Sequence, residues 1–508
     1  MTNNADETTK DLAERGSNRS HRPNSAAFKE FMGSNWGERP PLLTETAPVA
    51  QYLASRHHEA GAPFAGERLV IPAGSLKTRS NDTDYRFRAH SAFAHLTGLG
   101  GEMEPDSVLV LEPVEEDGQV THQGVLYFQP RASRSSEEFY ADSRYGEFWV
   151  GARPSLDEME LFTGLKCAPI DTLKDALAKD AGLVQLRVLP QVDATVEALV
   201  NEVRVQAGLP AGANAAAQDA ALVEHLSELR LQKDQFEVAE LQRAVDATAL
   251  GFERIIRELP RAVGHRRGER VIEGAFATAA REEGNGLGYE TIAAAGNHAN
   301  TLHWMDNSGQ VPADALVLVD AGVEVDSLYT ADITRTLPVS GKFGPTQAKV
   351  YQAVLDAAEA ALVRAGEPGC RFRDVHQAAM EVIAQRLEEW GILPVTAAES
   401  LAPEGQQHRR WMPHGTSHHL GLDVHDCAQA RQEMYQDAVL QPGMAFTIEP
   451  GLYFRADDLA VPPEFRGIGV RIEDDVVVEA DGSVRRLSED IPRTIADVED
   501  WMARIWAQ

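Results

Sequence analysis

The chain has 508 residues, 25 % of them charged and 43 % hydrophobic, which is the composition of a folded globular protein with room for two or three domains. A formal net charge of −30 repels phosphate backbones and excludes nucleic acid as the expected partner. No stretch approaches the roughly 18 apolar residues of a membrane span, and three cysteines without C-x-x-C spacing fit free thiols in a reducing compartment, so the cytoplasm is the expected location.

Residues 1–45 are polar and read as an extended or mobile arm, because they cannot bury enough apolar surface to offset the entropy of ordering. An α/β domain is expected over 46–232. Leu69-Val70-Ile71, Ser107 to Leu111 and Val125 to Phe128 read as strands, and Thr172 to Ala181 as a helix closed by Gly182. The domain over 233–508 opens on a long helix: Asp234 and Glu237 have capping-box spacing, and Leu241, Val245, Thr248, Phe252, Ile255 and Leu259 share one face until Pro260 stops it. Ala315 to Val319 and Asp332 to Leu337 are strand-like. Helices follow from about Gln347 to Ala365 and from Phe372 to Trp390, closed by Gly366 and Gly391, and strands return at Ala445 to Glu449 and Val470 to Val478. Strands, then helices, then strands again indicate an α+β domain with an antiparallel sheet.

Five metal-capable side chains occur in this second half: Asp320, Asp332, His418, Glu449 and Glu473. Four carboxylates and one imidazole suit two divalent ions about 3.5–4 Å apart, whereas a structural zinc site would show cysteine and histidine in tight pairs. Singly, Asp320 and Asp332 read better as a strand-end turn residue and a cap. Together they stand at facing ends of two strands joined by Ala321 to Ala331, with Thr334 on the same face as Asp332 and able to hydrogen-bond a metal-bound oxygen. Glu449 shares a strand face with Thr447, opposite Phe446 and Ile448, and a charge beside an apolar face needs a partner. Glu473 shares a face with Arg471, so a structural ion pair between them is an alternative.

The segment from His414 to Asp426 packs His414, His418, His419 and His425 into twelve positions with two glycines between them. Such a cluster, with acids elsewhere in the domain, points to a metal or acid–base site. The zincin pattern fails, because Gly415 stands where its glutamate would follow the first histidine. Cys427, just beyond, reads as a small packed residue.

Five segments carry a specific resemblance: Val319-Asp320-Ala321-Gly322, Asp332-Ile333-Thr334-Arg335-Thr336, the His414 to Asp426 block, Thr447 to Tyr453, and Gly467 to Asp475. Over about Asp234 to Arg485 the chain resembles the pita-bread metallopeptidases, specifically the Xaa-Pro aminopeptidases. Thr78 to Asp82 and Phe93 to Gly98 resemble that family's creatinase-like N-terminal domain. The resemblance implies a creatinase-like α/β domain followed by an α+β pita-bread catalytic domain with a curved, mainly antiparallel sheet. It implies that Asp320, Asp332, His418, Glu449 and Glu473 hold two divalent ions, typically manganese, with Glu473 and Asp332 bridging. His303, His414 and His425 match substrate-side histidines, and Tyr289, Tyr453 and Arg471 match pocket positions. Trp149 looks like the residue a neighbouring subunit lends to the site, in a homodimer or homotetramer. The Asp320 to Asp332 connection is one residue longer than the usual pattern.

The activity so implied is hydrolysis of the bond between an N-terminal residue and a following proline, by a hydroxide held between the two metals. Glu449 is expected to take the proton from that water, while His303, His414 and His425 orient the peptide and stabilise the oxyanion. A dipeptidase of the same fold (prolidase) shares nearly all these motifs. A metal-free creatinase-type or binding relative is disfavoured because all five ligands stand.

Overall fold

In the computed structural model, residue 23 and residues 25–508 apart from 102 and 117 are described. The chain divides into two compact units between Leu222 and Val223, within the helix Ala216–Leu229 and upstream of the capping box at Asp234. Among the described residues no helix is long and apolar enough to cross a membrane.

The first unit is built on a five-stranded sheet in the order Lys166–Pro169, Gln119–Phe128, Val108–Glu116, Glu67–Pro72, Gln185–Val188. The three middle strands pair antiparallel, and each outer strand joins them in parallel. Leu69, Val70 and Ile71 are all fully buried, as a continuous apolar run in the middle of a sheet covered on both faces must be. One face packs Val70, Val108, Val110 and Val188 against Leu173, Leu177, Val196, Val200 and Val203 of two helices. The first of these spans only Leu173–Ala178, because Asp180 takes a left-handed φ of 55° before Gly182 is reached. Most of the arm expected over 1–45 lies outside the described residues. Its described part is helical over Ala26–Gly33, with Ser25 accepting from the Phe28 N–H, and is joined to the 134–148 segment by Lys29–Glu137 and Arg39–Glu147 ion pairs and by Trp36 edge-on to Phe139.

The second unit opens on the helix Gln235–Val263, with the Asp234–Glu237 capping box in place. Pro260 lies inside this helix and does not end it. A proline deprives the carbonyl four residues earlier of its donor, and here the indole Nε1–H of Trp506, in the final helix Ile495–Trp506, donates to Ile256 O at 2.7 Å. Every named strand pair of this unit is antiparallel, as the order of elements predicts. Leu316–Ala321 runs between Ile292–Ala295 and Ile333–Pro338, and Asp320 pairs with Thr334. The helices Pro345–Ala365 and Phe372–Glu389 share an apolar core with these strands and with Phe446, Ile448, Leu452 and Val470.

The single strand expected over Val470 to Val478 is two. Ile468–Arg471 pairs with Gly451–Phe454, while Asp474–Val478 pairs with Ala445–Ile448. Both partners break at the same level, at Glu449-Pro450 and at Ile472-Glu473. Pro450 has no N–H to continue a ladder. Across the break the Ile472 N–H donates to Pro450 O at 3.3 Å and the Glu473 N–H donates to Thr334 O at 3.1 Å.

Candidate active site

The breaks in the paired strands leave Glu449 and Glu473 side by side, and the rest of the site is assembled on them. Asp320 is the last residue but one of its strand and Asp332 precedes the antiparallel partner, so the two carboxylates meet where that pair opens. The Tyr289 hydroxyl lies between them, within hydrogen-bond reach of Asp332 and 2.6 Å from Asp320 Oδ1, its one proton shared between the two carboxylates. The connection between them closes through Leu328 at a left-handed φ of 72°. The histidine segment lies along Ala445–Ile448: the Thr447 N–H donates to His418 O at 2.9 Å, the Glu449 N–H to Thr416 O at 2.8 Å, and the His418 N–H to Thr447 Oγ1 at 3.1 Å.

These elements enclose a cavity of about 360 Å³ lined by all five expected ligands and by His303, His414, His425 and Arg471. His418 Nε2 lies 3.3 Å from Asp332, 3.8 Å from Glu449 and 4.0 Å from Glu473. Its Nδ1 is 3.2 Å from His419 O, so a proton there leaves Nε2 bare and aimed at the acids. Three overlapping groups have ligand atoms within 4.8 Å of one another: Asp320, Asp332 and Glu473; His418, Glu449 and Glu473; and Asp332, His418 and His425. Glu473 belongs to the first two, the position a bridging carboxylate needs. His425 enters the third, closer to the ligands than a purely substrate-side residue would be.

Among the described lining residues, Arg471 is the sole arginine or lysine against four carboxylates. It is committed to Asp320 Oδ2 at 2.5 Å and to the Tyr453 hydroxyl at 3.1 Å, so the alternative pairing with Glu473 is not formed. Glu473 instead accepts from Thr334 Oγ1 at 2.6 Å. Thr334 therefore orients a carboxylate instead of facing the cavity, and the same oxygen accepts from Arg471 Nε at 3.1 Å. Arg335, fully buried, donates to Glu473 O at 2.6 Å and pairs with Asp474 at 2.7 Å, while Asp475 Oδ2 accepts the Asp332 N–H at 3.0 Å. Sequence reasoning missed Arg335, Asp474 and Asp475 as supports; their signal is three consecutive acids, Glu473 to Asp475, leading into an apolar run, which a buried strand cannot hold without partners.

The charge balance favours a bound cation. Burial and then the neighbouring Asp332, Glu449 and Asp320 push the Glu473 carboxyl well above its ordinary range. Burial raises Glu449 to about 7, with His418 and Arg471 pulling down and Asp332 and Asp320 pushing up. Asp332 is raised by burial and by Asp320. Burial lowers His418, yet Asp332 and Glu449 bring it up to about 9. Crowded carboxylates that resist ionising beside one another are the donor set a pair of hard divalent cations neutralises, and a cation at His418 Nε2 would take the place of the proton that the acids otherwise hold there.

His414 is held on both sides, Nδ1 at 2.6 Å from Gly415 O and Nε2 at 2.8 Å from the Tyr453 hydroxyl, and burial, then Arg471, drives its pKa down to about 3. Trp149 belongs to the first unit, more than half exposed, its Nε1–H donating to Tyr140 O at 2.8 Å. Cys427 is buried and its thiol is pushed up to about 12, by burial first and then by Asp426.

Comparison with known proteins agrees with this geometry. Residues 239–480 match the model of metallopeptidase family M24, and residues 53–186 match the aminopeptidase P N-terminal domain. Xaa-Pro aminopeptidase 1 of Streptomyces coelicolor is 49 % identical over 485 residues, covering 95 % of this chain and 93 % of the relative. The chain belongs to the Xaa-Pro aminopeptidase family. It is thus a metallo-hydrolase with a creatinase-like first domain and a pita-bread second domain. Proline aminopeptidase P II of Yersinia pestis superposes with a TM-score of 0.75 at 31 % identity, over 90 % of this chain and 99 % of that one. Zinc-substituted Escherichia coli aminopeptidase P in complex with product gives 0.77 at 29 % identity, over 91 % and 99 %.

Proposed function

We propose that this Xaa-Pro aminopeptidase removes the N-terminal residue from peptides whose second residue is proline, using two divalent ions held by Asp320, Asp332, His418, Glu449 and Glu473. The observation that carries the reading is the cluster of four carboxylates and one imidazole around one small cavity, with Arg471 already spent on Asp320. Bound there, the ions lower the pKa of water so that a nucleophile exists near neutral pH, and they polarise the scissile carbonyl.

The chain's own residues do the rest. Asp320, Asp332 and Glu473 form one oxygen-rich holder and His418, Glu449 and Glu473 the other, with Glu473 common to both. Glu449, which lines the cavity beside His418, is the carboxylate that takes a proton from the attacking water and returns it to the leaving proline nitrogen. His303 and His425 face the cavity and orient the peptide. Tyr453 ties His414 and Arg471 into one array beside the developing oxyanion. A free substrate amine beside the ions would account for cleavage at the first bond only.

Manganese is the ion we assign, because oxygen-rich sites suit it. We further assign a homo-oligomer, dimeric or tetrameric, in the cytoplasm. Exposed Phe148, Trp149 and Val150 are the surface from which Trp149 would serve a neighbouring subunit's site.

The test is digestion of an Xaa-Pro-Xaa tripeptide, an Xaa-Pro dipeptide and an Xaa-Ala-Xaa tripeptide by protein stripped with chelator and reloaded with each metal. Release of the first residue from the proline tripeptide, lost on chelation and restored best by manganese, is expected. Cleavage of the dipeptide alone, or equal cleavage of the alanine peptide, would overturn the assignment.

A further inference from the structure

His303 sits in a twenty-residue irregular connection, 296–315, which has no strand or α-helix of its own beyond the short turn Gly296–Asn300. A side chain on such a connection is placed only as well as its base is fixed. The base here converges on one carboxylate. Glu269, in the first turn of the helix Gly268–Glu283, is fully buried and accepts four hydrogen bonds. Oε1 takes the Ala295 N–H at 2.9 Å and His298 Nδ1 at 2.7 Å; Oε2 takes the Trp304 indole N–H at 2.9 Å and the Gly309 N–H at 2.6 Å.

Those donors bracket His303: the end of the strand before the connection, Gly309 beyond His303, and two rings from between them. The two rings stack on each other with centroids 4.0 Å apart and planes 23° from parallel. The segment is also closely fitted on either side of His303. A Cβ added at Gly309 would lie 2.6 Å from Glu269 Oε2, and one at Gly469, in the strand that carries Arg471, would lie 2.8 Å from Ala299. An ionised carboxylate is acceptor-only with about four lone-pair sites, so four donors saturate it. Glutamine at 269 would turn an N–H₂ towards two of them.

We propose that Glu269 is a positioning residue for His303. It fixes the connection so that Leu302 and His303 line the cavity, and it acts on substrate placement, not on metal binding. The inference rests on the peptidase reading above, and two measurements separate its failure from the failure of that reading.

The first needs no substrate. Hydrogen exchange in Glu269→Gln is expected to speed up over residues 297–305 while the strands bearing Asp320 and Arg471 stay protected; unchanged exchange there overturns the proposal. The second is a double-mutant cycle with His303→Ala on the metal-loaded enzyme. Glu269→Gln alone should raise KM roughly tenfold with metal content unaltered, and within about twofold add nothing once His303 is gone. A full, additive penalty in the His303→Ala background overturns the proposal. Should Glu269→Gln fail to fold, Trp304→Phe removes one donor while keeping the stack on His298, and the same cycle applies. A wild-type enzyme inactive on every proline peptide would sink the peptidase reading, with exchange still deciding the role of Glu269.

Discussion

Thr334→Val isolates the support of the metal-holding carboxylates from the carboxylates themselves. The hydroxyl is fully buried, donates to Glu473 Oε2 at 2.6 Å and accepts from Arg471 Nε at 3.1 Å. Valine fills nearly the same space and offers neither bond, leaving a carboxylate oxygen and a guanidinium N–H unpaired in a closed site. A hydrogen bond to a charged group contributes about 1.5–3 kcal/mol, which at about 1.4 kcal/mol per decade is a roughly 10- to 150-fold weakening of metal binding. Titration calorimetry of chelator-stripped protein with manganese measures it directly. Thr334→Ser keeps the hydroxyl and should remain within about threefold of wild type, since the outer partner of the ligand is preserved. Metal affinity in Thr334→Val within about twofold of wild type would refute the reasoning, since an oriented ligand lost at that cost was not oriented by Thr334.

Two further predictions concern stability. Trp506→Phe removes the donor that satisfies Ile256 O above Pro260, and should cost about 1 kcal/mol in urea unfolding. The same change should cost clearly less in a Pro260→Ala background, where the helix supplies its own N–H; equal losses in both backgrounds would refute this account. His57 is 3 % exposed with its pKa lowered from 6.5 to about 4, by burial first, against the raising effect of its bond to Leu96 O. The unfolded chain takes this proton before the folded one, so the contribution is complete above pH 6.5 and drains away as pH falls towards 4. At 1.36 kcal/mol per unit, that is about 3 kcal/mol. His57→Gln, whose amide still reaches Leu96 O, should flatten the urea midpoint against pH between 6.5 and 4; an unaltered slope would refute it.

What was legible in the sequence was whatever is local. The capping box at Asp234 and Glu237 needs only neighbours three residues apart, and Phe446 and Ile448 opposite Thr447 and Glu449 need only the alternation of a strand. The five proposed ligands were singled out because five short runs resemble one family when taken together, although each residue alone reads as structural. What escaped depends on partners far along the chain. Pro260 carries the usual stop signal, and the tryptophan that cancels it comes 246 positions later. The alternation that puts Thr334 on the face of Asp332 suggests a bond to a metal-bound oxygen, whereas its bond to Glu473 requires the register between distant strands. Val470 to Val478 has no glycine or proline and so passes for one strand, because the bonds across its interruption go to Pro450 and Thr334, far along the chain.

That interruption divides responsibility for the site. On one side of the two glutamates the register is set by Ala445 opposite Val477, and on the other by Leu452 opposite Val470, with no continuous ladder to transmit a slip from one to the other. The connection over 455–467 closes only the second pair. Insertions or deletions there can remodel the surroundings of the cavity while Glu449 and Glu473 keep their alignment through Ala445–Ile448 and Asp474–Val478, so variation in that connection and constancy of the ligands are mechanically compatible.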